Sequence, residues 1–306
     1  MTTAFVLSGG GSLGAVQVGM LQALAARGVS PDLLVGTSAG AMNAAWVAGH
    51  GMSEESLSAL ASVWTGLRRR DVFPLRAGHV LRGLVGGGTG VVPPGRLRDL
   101  IEAQTAIECF EDAVVPLHVI AADLLTGETV VLSSGPVVTA VLASAAVPGM
   151  FPPVEVHGRY LVDGGVAQRA GVAEAVALGA SEVYVLPAGT SCALPGPPRS
   201  AMGVSLQALT LLIQRRLVNE VAALSAERAI RVFPPLCPLA VSAADFRHAA
   251  ELVARARTAT TEWLEHGGTE LPAQERFLSL HDHHRGPASS GPPDRHPPHR
   301  VARSRR

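Results

Sequence analysis

The sequence predicts an α/β fold in which a mostly parallel central sheet is flanked by helices. Short apolar segments alternate along the chain with segments of good helix formers, which is the order that a parallel sheet requires. Several of the apolar segments end in glycine-rich turns. Hydrophobic residues make up 47% of the 306 residues, enough for one large core. We therefore expect a single α/β domain over residues 1–280.

The predicted strands are short runs of Val, Leu, Ile and Ala that glycine, proline or polar residues bound. Two of them form a hairpin, because His157 and Gly158 are suited to a tight turn between strands. The full set is Ala4–Leu7, Leu33–Val35, Pro116–Ala122, Glu128–Leu132, Val154–Val156, Tyr160–Val162, Glu182–Leu186 and Ile230–Phe233.

The predicted helices combine good helix formers with apolar residues at helical spacing. They are Ala15–Arg27, Ala41–Ala48, Ser53–Leu67, Gly95–Gln104, Val137–Ala145, Val172–Leu178, Ala201–Leu224 and Ala243–His266. Residues 187–199, rich in proline and glycine, are predicted to form a loop. The apolar stripe of Ala201–Leu224 indicates core packing, with an interfacial lipid contact as the alternative.

A pentapeptide of the form G-x-S-x-G follows the second predicted strand. It spans Gly36–Gly40 and has Ser38 at its centre. In a nucleophile elbow, a tight strand-to-helix turn exposes the oxygen of such a serine, and small flanking glycines avoid clashes. The helix that follows would favour developing negative charge at its N-terminus. The pentapeptide is equally compatible with an inactive serine in a glycine-bounded turn, so its context decides.

A glycine-rich loop follows the first predicted strand and contains Gly9, Gly10, Gly11 and Gly14. Uncovered backbone N–H groups at a helix N-terminus bind anions, either a phosphate or the oxyanion of an acyl-transfer intermediate. A dinucleotide site needs an acidic residue at the end of the second strand, whereas Asp32 lies at its start. The chain contains no lysine, which excludes a Walker A motif.

A third motif, Asp163-Gly164-Gly165, follows the predicted hairpin. The two glycines allow another segment to approach the aspartate closely. An Asp-Gly pair is also a common turn without any catalytic role. A serine hydroxyl is a weak nucleophile until a base takes its proton, and a well-placed, partly desolvated carboxylate is one such base.

Together these motifs resemble those of the patatin-like phospholipase family over roughly residues 4–175. The family order is a glycine-rich loop, then G-x-S-x-G, then D-G-[GA]. Two further stretches match its patterns, Ala143–Pro153 before the aspartate and Asp123–Glu128 in a turn. The resemblance implies a three-layer sandwich with a nucleophile elbow. One departure is Leu13, where many members carry Lys or Arg, and it weakens the inference of a charged head group there.

By this resemblance Ser38 is the nucleophile and Asp163 its base, a dyad without histidine. The oxyanion hole is assigned to Gly9, Gly10, Gly11 and Gly14. The other motif glycines are Gly36, Gly40, Gly164 and Gly165. A Ser-Asp-His triad with His248 is the alternative, although His248 falls in a helical pattern.

We therefore expect a serine acyl hydrolase of lipase or phospholipase A type that cleaves lipid or other acyl esters. A thioesterase or acyltransferase with the same nucleophile is one alternative, and a non-catalytic nucleotide- or phosphate-binding protein is another. No cofactor and no metal are expected. The formal net charge is zero, so a nucleic-acid partner is not expected. An interfacial helix face would allow transient contact with a membrane surface, and the sequence leaves the oligomeric state open.

The remaining features concern location and mobile segments. The N-terminus lacks a basic segment and a cleavage site, and no run reaches the length of a membrane span, so we expect a cytoplasmic protein. Three cysteines, Cys109, Cys192 and Cys237, are far apart in sequence and predict no disulfide framework. The glycine-rich stretch Arg76–Pro94 is a surface loop or a lid. Residues 281–306, rich in Pro, His and Arg, are predicted to be a disordered tail.

Overall fold

The computed structural model describes residues 2–74, 78, 81 and 88–279. Most of the stretch predicted to be a surface loop or lid, and all of the predicted tail, lie outside these residues. The domain limits and the role of that stretch therefore stay predictions.

Eight strands form one mixed sheet. They are β1 (Thr3–Leu7), β2 (Leu33–Thr37), β3 (Leu117–Asp123), β4 (Thr129–Leu132), β5 (Val154–Val156), β6 (Arg159–Asp163), β7 (Glu182–Leu186) and β8 (Ala229–Val232). Hydrogen-bonded neighbours follow the path β5-β6-β3-β2-β1-β7-β8, and β4 also pairs with β3. The strands from β3 through β2, β1 and β7 to β8 are parallel, whereas β4, β5 and β6 pair antiparallel.

Nine α-helices were assigned in the described part of the chain. They are α1 (Gly14–Ala25), α2 (Ala39–His50), α3 (Glu54–Gly66), α4 (Arg69–Val72), α5 (Gly95–Gln104), α6 (Val137–Ser144), α7 (Val172–Ala177), α8 (Ala201–Leu224) and α9 (Ala249–Glu265). The predicted helices Gly95–Gln104 and Ala201–Leu224 have these same limits.

Side chains alternate between the two faces of the sheet, which creates two apolar cores. In β1, Phe5 and Leu7 join the core formed with α1, α2, α3 and α9, while Ala4 and Val6 join the core formed with α7. Helix α8 contributes to both, the first with its N-terminal half and the second with its C-terminal half. The predicted α/β fold with helices on both faces of the sheet is confirmed.

The last predicted helix begins later than the sequence pattern indicated. Residues 243–245 are not helical; a 3₁₀ turn over Phe246–His248 precedes α9. The side chain of Asp245 caps this turn by accepting a hydrogen bond from the Arg247 N–H. The predicted start at Ala243 was therefore wrong. Because Ala243 is not part of a helix, its carbonyl oxygen can accept a hydrogen bond from the glycine-rich loop, as described below.

Candidate active site

Ser38 lies between the end of β2 and the start of α2 with a strained backbone. Its φ is 54° and its ψ is −120°, a conformation that non-glycine residues rarely adopt. The flanking glycines are required by close packing. A Cβ atom on Gly40 would lie 2.2 Å from the Leu7 carbonyl oxygen, and one on Gly36 would lie 2.6 Å from Ala41 Cα. The backbone segments around the two glycines therefore leave no room for a side chain, and this close packing holds the turn in the elbow shape that the motif predicts.

The sheet register brings Asp163 to this elbow. Strand β3 pairs with β2 as far as Thr37 opposite Ile120, and it pairs with β6 from Ala121 opposite Asp163. Because β4 occupies the other edge of β3, β2 and β6 share one edge and meet at this point. The approach requires Gly164, on which a Cβ would lie 2.3 Å from the Ile120 carbonyl oxygen.

The two side chains form a direct hydrogen bond. The Ser38 hydroxyl donates to Asp163 Oδ2 over 2.7 Å, and the Gly165 N–H donates to Oδ1 over 2.7 Å. Asp163 is fully buried, and this burial raises the pKa of its carboxyl from 3.8 to about 6, against the opposing effect of the two hydrogen bonds. A carboxylate with this pKa is ionised at neutral pH and is a stronger base than an exposed aspartate.

Ser144 holds the elbow from a third direction. Its hydroxyl accepts a hydrogen bond from the Ser38 N–H over 2.8 Å and donates to the Ile120 carbonyl over 2.6 Å. Ser144 is fully buried at the end of α6. The sequence pattern contained this serine in the segment Ala143–Pro153 but gave no reason to assign it a role.

The glycine-rich loop presents backbone N–H groups beside Ser38. The N–H groups of Gly9, Gly10 and Gly11 donate no hydrogen bond within the described part of the chain. Gly10 and Gly11 line the same pocket as Ser38. Gly11 has a φ of +58°, and a Cβ there would lie 2.5 Å from the Ala243 carbonyl oxygen. The loop is thus shaped to offer donors to an anion in front of the serine.

Gly14 does not share this position. Its N–H donates to the carbonyl oxygens of Gly11 and Ser12 within the 3₁₀ turn Gly11–Leu13. A Cβ on Gly14 would meet the Trp64 indole at 2.6 Å. The geometry therefore gives no support to Gly14 as an oxyanion donor, and this glycine allows close packing of α1 against α3.

Two sets of contacts that the sequence did not predict fix the loop. The Ser12 N–H donates to the Ala243 carbonyl over 2.9 Å, which ties the loop to the segment before α9. The buried Gln17 amide donates to the carbonyls of Ser8 and Leu186 over 2.8 and 2.9 Å. Asn43 donates to Gln17, and all these groups are buried, so the network rigidifies the loop.

An apolar pocket of about 50 Å³ opens beside Ser38, and we call it the acyl pocket. Its walls come from α2, α3, α5 and α8 and from the loop after α6. The apolar side chains that line it include Met42, Trp64, Leu67, Phe73, Leu97, Val147, Phe151, Leu206, Leu209, Ile213 and Phe246. Part of the stripe predicted on α8 therefore faces this pocket.

His248 lies apart from the hydrogen-bonded pair Ser38 and Asp163. It contacts Asp245 and Glu251 at 3.7 and 3.4 Å on the outer surface, and both oxygens of Asp163 already accept hydrogen bonds from Ser38 and Gly165. The geometry therefore gives no support to the triad. Within the described residues, no group of three or more His, Cys, Asp or Glu side chains is placed to hold a metal ion. None of the described helices is long and apolar enough to cross a membrane.

Comparison with known proteins identifies the family. A family model for patatin-like phospholipases matches residues 5–176, more than half of the chain, and the chain belongs to this family. An uncharacterized NTE family protein of Mycobacterium tuberculosis is 30% identical over 163 residues, 53% of this chain and 42% of the relative. Lysophospholipase NTE1 of Mycosarcoma maydis is 26% identical over 199 residues, 62% of this chain and 10% of that protein.

The chain thus spans less than half the length of these curated relatives. Among solved structures, VipD from Legionella pneumophila resembles the chain with a TM-score of 0.44 and 16% identity, over 90% of this chain and 66% of that one.

Proposed function

We propose that the chain is a serine acyl hydrolase that cleaves the ester bond of a lipid, with Ser38 as the nucleophile and Asp163 as the base. The observation that carries this proposal is the 2.7 Å hydrogen bond from the Ser38 hydroxyl to a fully buried carboxylate. A buried carboxylate with a pKa of about 6 can take the serine proton at neutral pH.

The reaction proceeds in two halves. Asp163 Oδ2 accepts the Ser38 proton while Oγ attacks the ester carbonyl, and the oxyanion forms in front of the N–H groups of Gly10 and Gly11. The intermediate then collapses, the C–O bond to the alcohol breaks, and the alcohol takes the proton from Asp163. Water next gives its proton to Asp163 and attacks the acyl-serine, which releases the fatty acid and restores the Ser38 hydroxyl.

The acyl pocket supports a lipid substrate. Its walls are almost wholly apolar, and Ser38, Gly10 and Gly11 are among the residues that line it. An acyl chain in the pocket would therefore place its ester carbonyl within reach of both the nucleophile and the N–H donors. A thioesterase or an acyltransferase would use the same serine and differ only in the leaving or accepting group.

A nucleotide-binding role is less compatible with this geometry. The Trp64 indole packs against the N-terminus of α1, where a dinucleotide site would hold the pyrophosphate. The pocket beside the loop is apolar rather than lined by the polar groups that phosphates require. The loop therefore suits a transient oxyanion better than a diphosphate.

Two measurements test the proposal. The first is hydrolysis of matched oxygen esters and thioesters of several chain lengths, with the Ser38→Ala variant as control. Wild-type hydrolysis that Ser38→Ala abolishes would support it, and the ester-to-thioester ratio would separate a lipase from a thioesterase. The second is calorimetry with NAD and ATP. Micromolar nucleotide binding, together with undetectable ester hydrolysis, would contradict it.

A further inference from the structure

We propose that a basic groove next to the acyl pocket binds the phosphate-bearing, anionic head group of the lipid substrate. This inference rests on the proposed function and names its substrate class. The groove, which we call the arginine groove, has a volume of about 1060 Å³. Five arginines line it, Arg68, Arg69, Arg70, Arg199 and Arg247.

The arginine groove adjoins the acyl pocket. Leu67 and Phe246 line both of them, so these two side chains stand between the apolar pocket beside Ser38 and the basic surface. A phospholipid has the same order of parts, with an apolar chain, an ester and then a charged head group. With the acyl chain in the pocket and the ester at Ser38, the head group lies outside the pocket, and the adjoining basic surface there is the arginine groove.

The positive charge in the groove is largely uncompensated. The arginines come from three separate segments of the chain, whereas Asp245 is the only carboxylate among the described residues that line the groove. Asp245 pairs with Arg247 over 2.7 Å. No ion pair links Arg70 or Arg199 to a carboxylate within the described part of the chain. In a chain whose formal net charge is zero, this concentration of like charge favours an anionic ligand.

Guanidinium groups favour phosphate in particular. Their planar array of donors can pair two N–H groups with two phosphate oxygens, and they keep their charge at any physiological pH. A neutral acylglycerol would leave these groups in water and gain nothing from them. We therefore expect a preference for an anionic phospholipid over a zwitterionic or uncharged lipid with the same acyl chain.

The kinetic test compares phosphatidylglycerol, phosphatidylcholine and diacylglycerol with identical acyl chains in mixed detergent micelles. In the Arg70→Gln/Arg199→Gln double variant, the ratio of kcat/KM for phosphatidylglycerol to that for diacylglycerol should fall about tenfold, as expected for lost charge-assisted hydrogen bonds. Arg228→Gln, an exposed arginine remote from the groove lining, is the matched control and should leave the ratio unchanged. An unchanged ratio in the double variant would overturn the proposal.

A binding test separates this proposal from the proposed function. Ser38→Ala protein, which cannot form an acyl-enzyme, should co-sediment with phosphatidylglycerol vesicles and not with phosphatidylcholine vesicles, and the two groove substitutions should abolish the difference. Competition by millimolar inorganic phosphate would show that the phosphate group alone is recognised; competition only by lipid would show that the head group must be held at a surface. Equal binding to both kinds of vesicle refutes the proposal that the arginine groove binds an anionic head group, even if the wild-type protein hydrolyses esters. Selective binding without hydrolysis refutes the hydrolase only.

A second, independent observation points to a covalent modification site at Cys192 and Cys237. Their sulfur atoms lie 3.8 Å apart, although 45 residues separate them in the sequence. We propose that these two cysteines form a reversible disulfide under oxidation by a peroxide. The third cysteine, Cys109, precedes the 3₁₀ turn Phe110–Asp112 and forms a β-bridge with Pro136.

The reaction needs only a short approach of the two sulfurs. One thiolate attacks the peroxide oxygen and becomes a sulfenic acid as the O–O bond breaks and water leaves; the second thiol then attacks that sulfur, and the S–S bond forms as another water leaves. Overall two thiols are oxidised and one peroxide is reduced to two waters. Burial and the neighbouring Cys192 raise the pKa of the Cys237 thiol, so the reaction should be faster at mildly alkaline pH.

The disulfide would join two loops that support the site, one around Cys192 and one around Cys237. Around the pair, the Ala193 N–H donates to the Leu239 carbonyl over 3.0 Å, and the Ser191 hydroxyl donates to the Val241 carbonyl. The segment that follows carries the Ala243 carbonyl that holds the glycine-rich loop. A disulfide here would therefore restrict movement at the mouth of the acyl pocket.

Peptide mass spectrometry after hydrogen peroxide treatment tests the second proposal. The Cys192–Cys237 linked peptide should appear in monomeric protein and disappear on reduction with dithiothreitol. Cys109→Ser should still form it, while Cys192→Ser and Cys237→Ser should not. Sulfenic or sulfinic acid at either position without the linked peptide, or a link that involves Cys109 instead, would overturn the proposal.

Discussion

Replacing Asp163 by Asn should abolish ester hydrolysis and at the same time stabilise the folded protein at neutral pH. The amide can keep the hydrogen bond from the Gly165 N–H at its oxygen, and its size is nearly that of the carboxylate. It cannot accept the serine proton. We expect kcat/KM to fall by roughly 10²–10⁴-fold, the contribution usual for a general base.

The gain in stability follows from the pKa of the carboxyl. Folding raises it from 3.8 to about 6, so the unfolded chain ionises Asp163 at lower pH than the folded chain does. The free energy of unfolding therefore falls as the pH rises between these two values, and the loss is complete above the folded pKa. The pKa difference corresponds to about 3 kcal/mol in the free energy of unfolding, which the wild type loses as the pH rises above the folded pKa. The Asp163→Asn variant has no carboxyl at this position and would not lose it.

Urea unfolding of both proteins at about pH 4 and about pH 8 measures this effect. The free energy of unfolding of the variant should exceed that of the wild type by about 2 kcal/mol more at pH 8 than at pH 4, because the unfolded carboxyl is already more than half ionised at pH 4. The matched control is Asp99→Asn, at an exposed aspartate on α5, and its free energy of unfolding should stay within about 0.5 kcal/mol of that of the wild type. An inactive variant that shows no extra stability at pH 8 would refute the argument that burial of the ionised Asp163 carboxylate destabilises the folded wild type.

Three other outcomes follow from the site. The value of kcat/KM for an ester should rise with pH to a plateau with a midpoint near 6, since Asp163 must be ionised to act as base; a flat profile from about pH 5 to 8 would contradict this. Gly10→Ala should lose activity because its Cβ would lie 2.4 Å from Ala188 Cβ, and Ala188→Gly should restore it by removing that atom; absence of rescue would show that the loop fails for another reason. Ser144→Ala should lower the free energy of unfolding by about 1–3 kcal/mol in urea titrations, because the buried Ser38 N–H loses its acceptor; unchanged stability would count against this role.

The part of the site that the sequence predicted consists of local motifs. The elbow at Ser38 and the glycine-rich loop are visible in a few neighbouring residues, because tight turns demand glycine at fixed positions. The meeting of Ser38 and Asp163, 125 residues apart, came from the family resemblance and not from any local pattern. The structure explains it through the register of β3 with two successive partners.

The contacts that the sequence could not predict are those between distant segments whose residues have no distinctive pattern. The carbonyl oxygen of Ala243 accepts a hydrogen bond from the Ser12 N–H. Because every residue carries a backbone carbonyl, the alanine at this position does not reveal the contact in the sequence. Gln17 resembles any polar residue on a helix, yet it is fully buried and binds two carbonyls. The arginine groove likewise depends on three segments that only the fold brings together.

Labelling with a fluorophosphonate followed by peptide mass spectrometry tests the central claim most directly, because the reagent forms a stable adduct only with an activated serine. The account predicts one adduct on Ser38 in the wild-type protein at neutral pH. It predicts no adduct, or a far slower one, in the Asp163→Asn variant. A wild-type protein that remains unlabelled, or one labelled at Ser12 or Ser144 in place of Ser38, would contradict it.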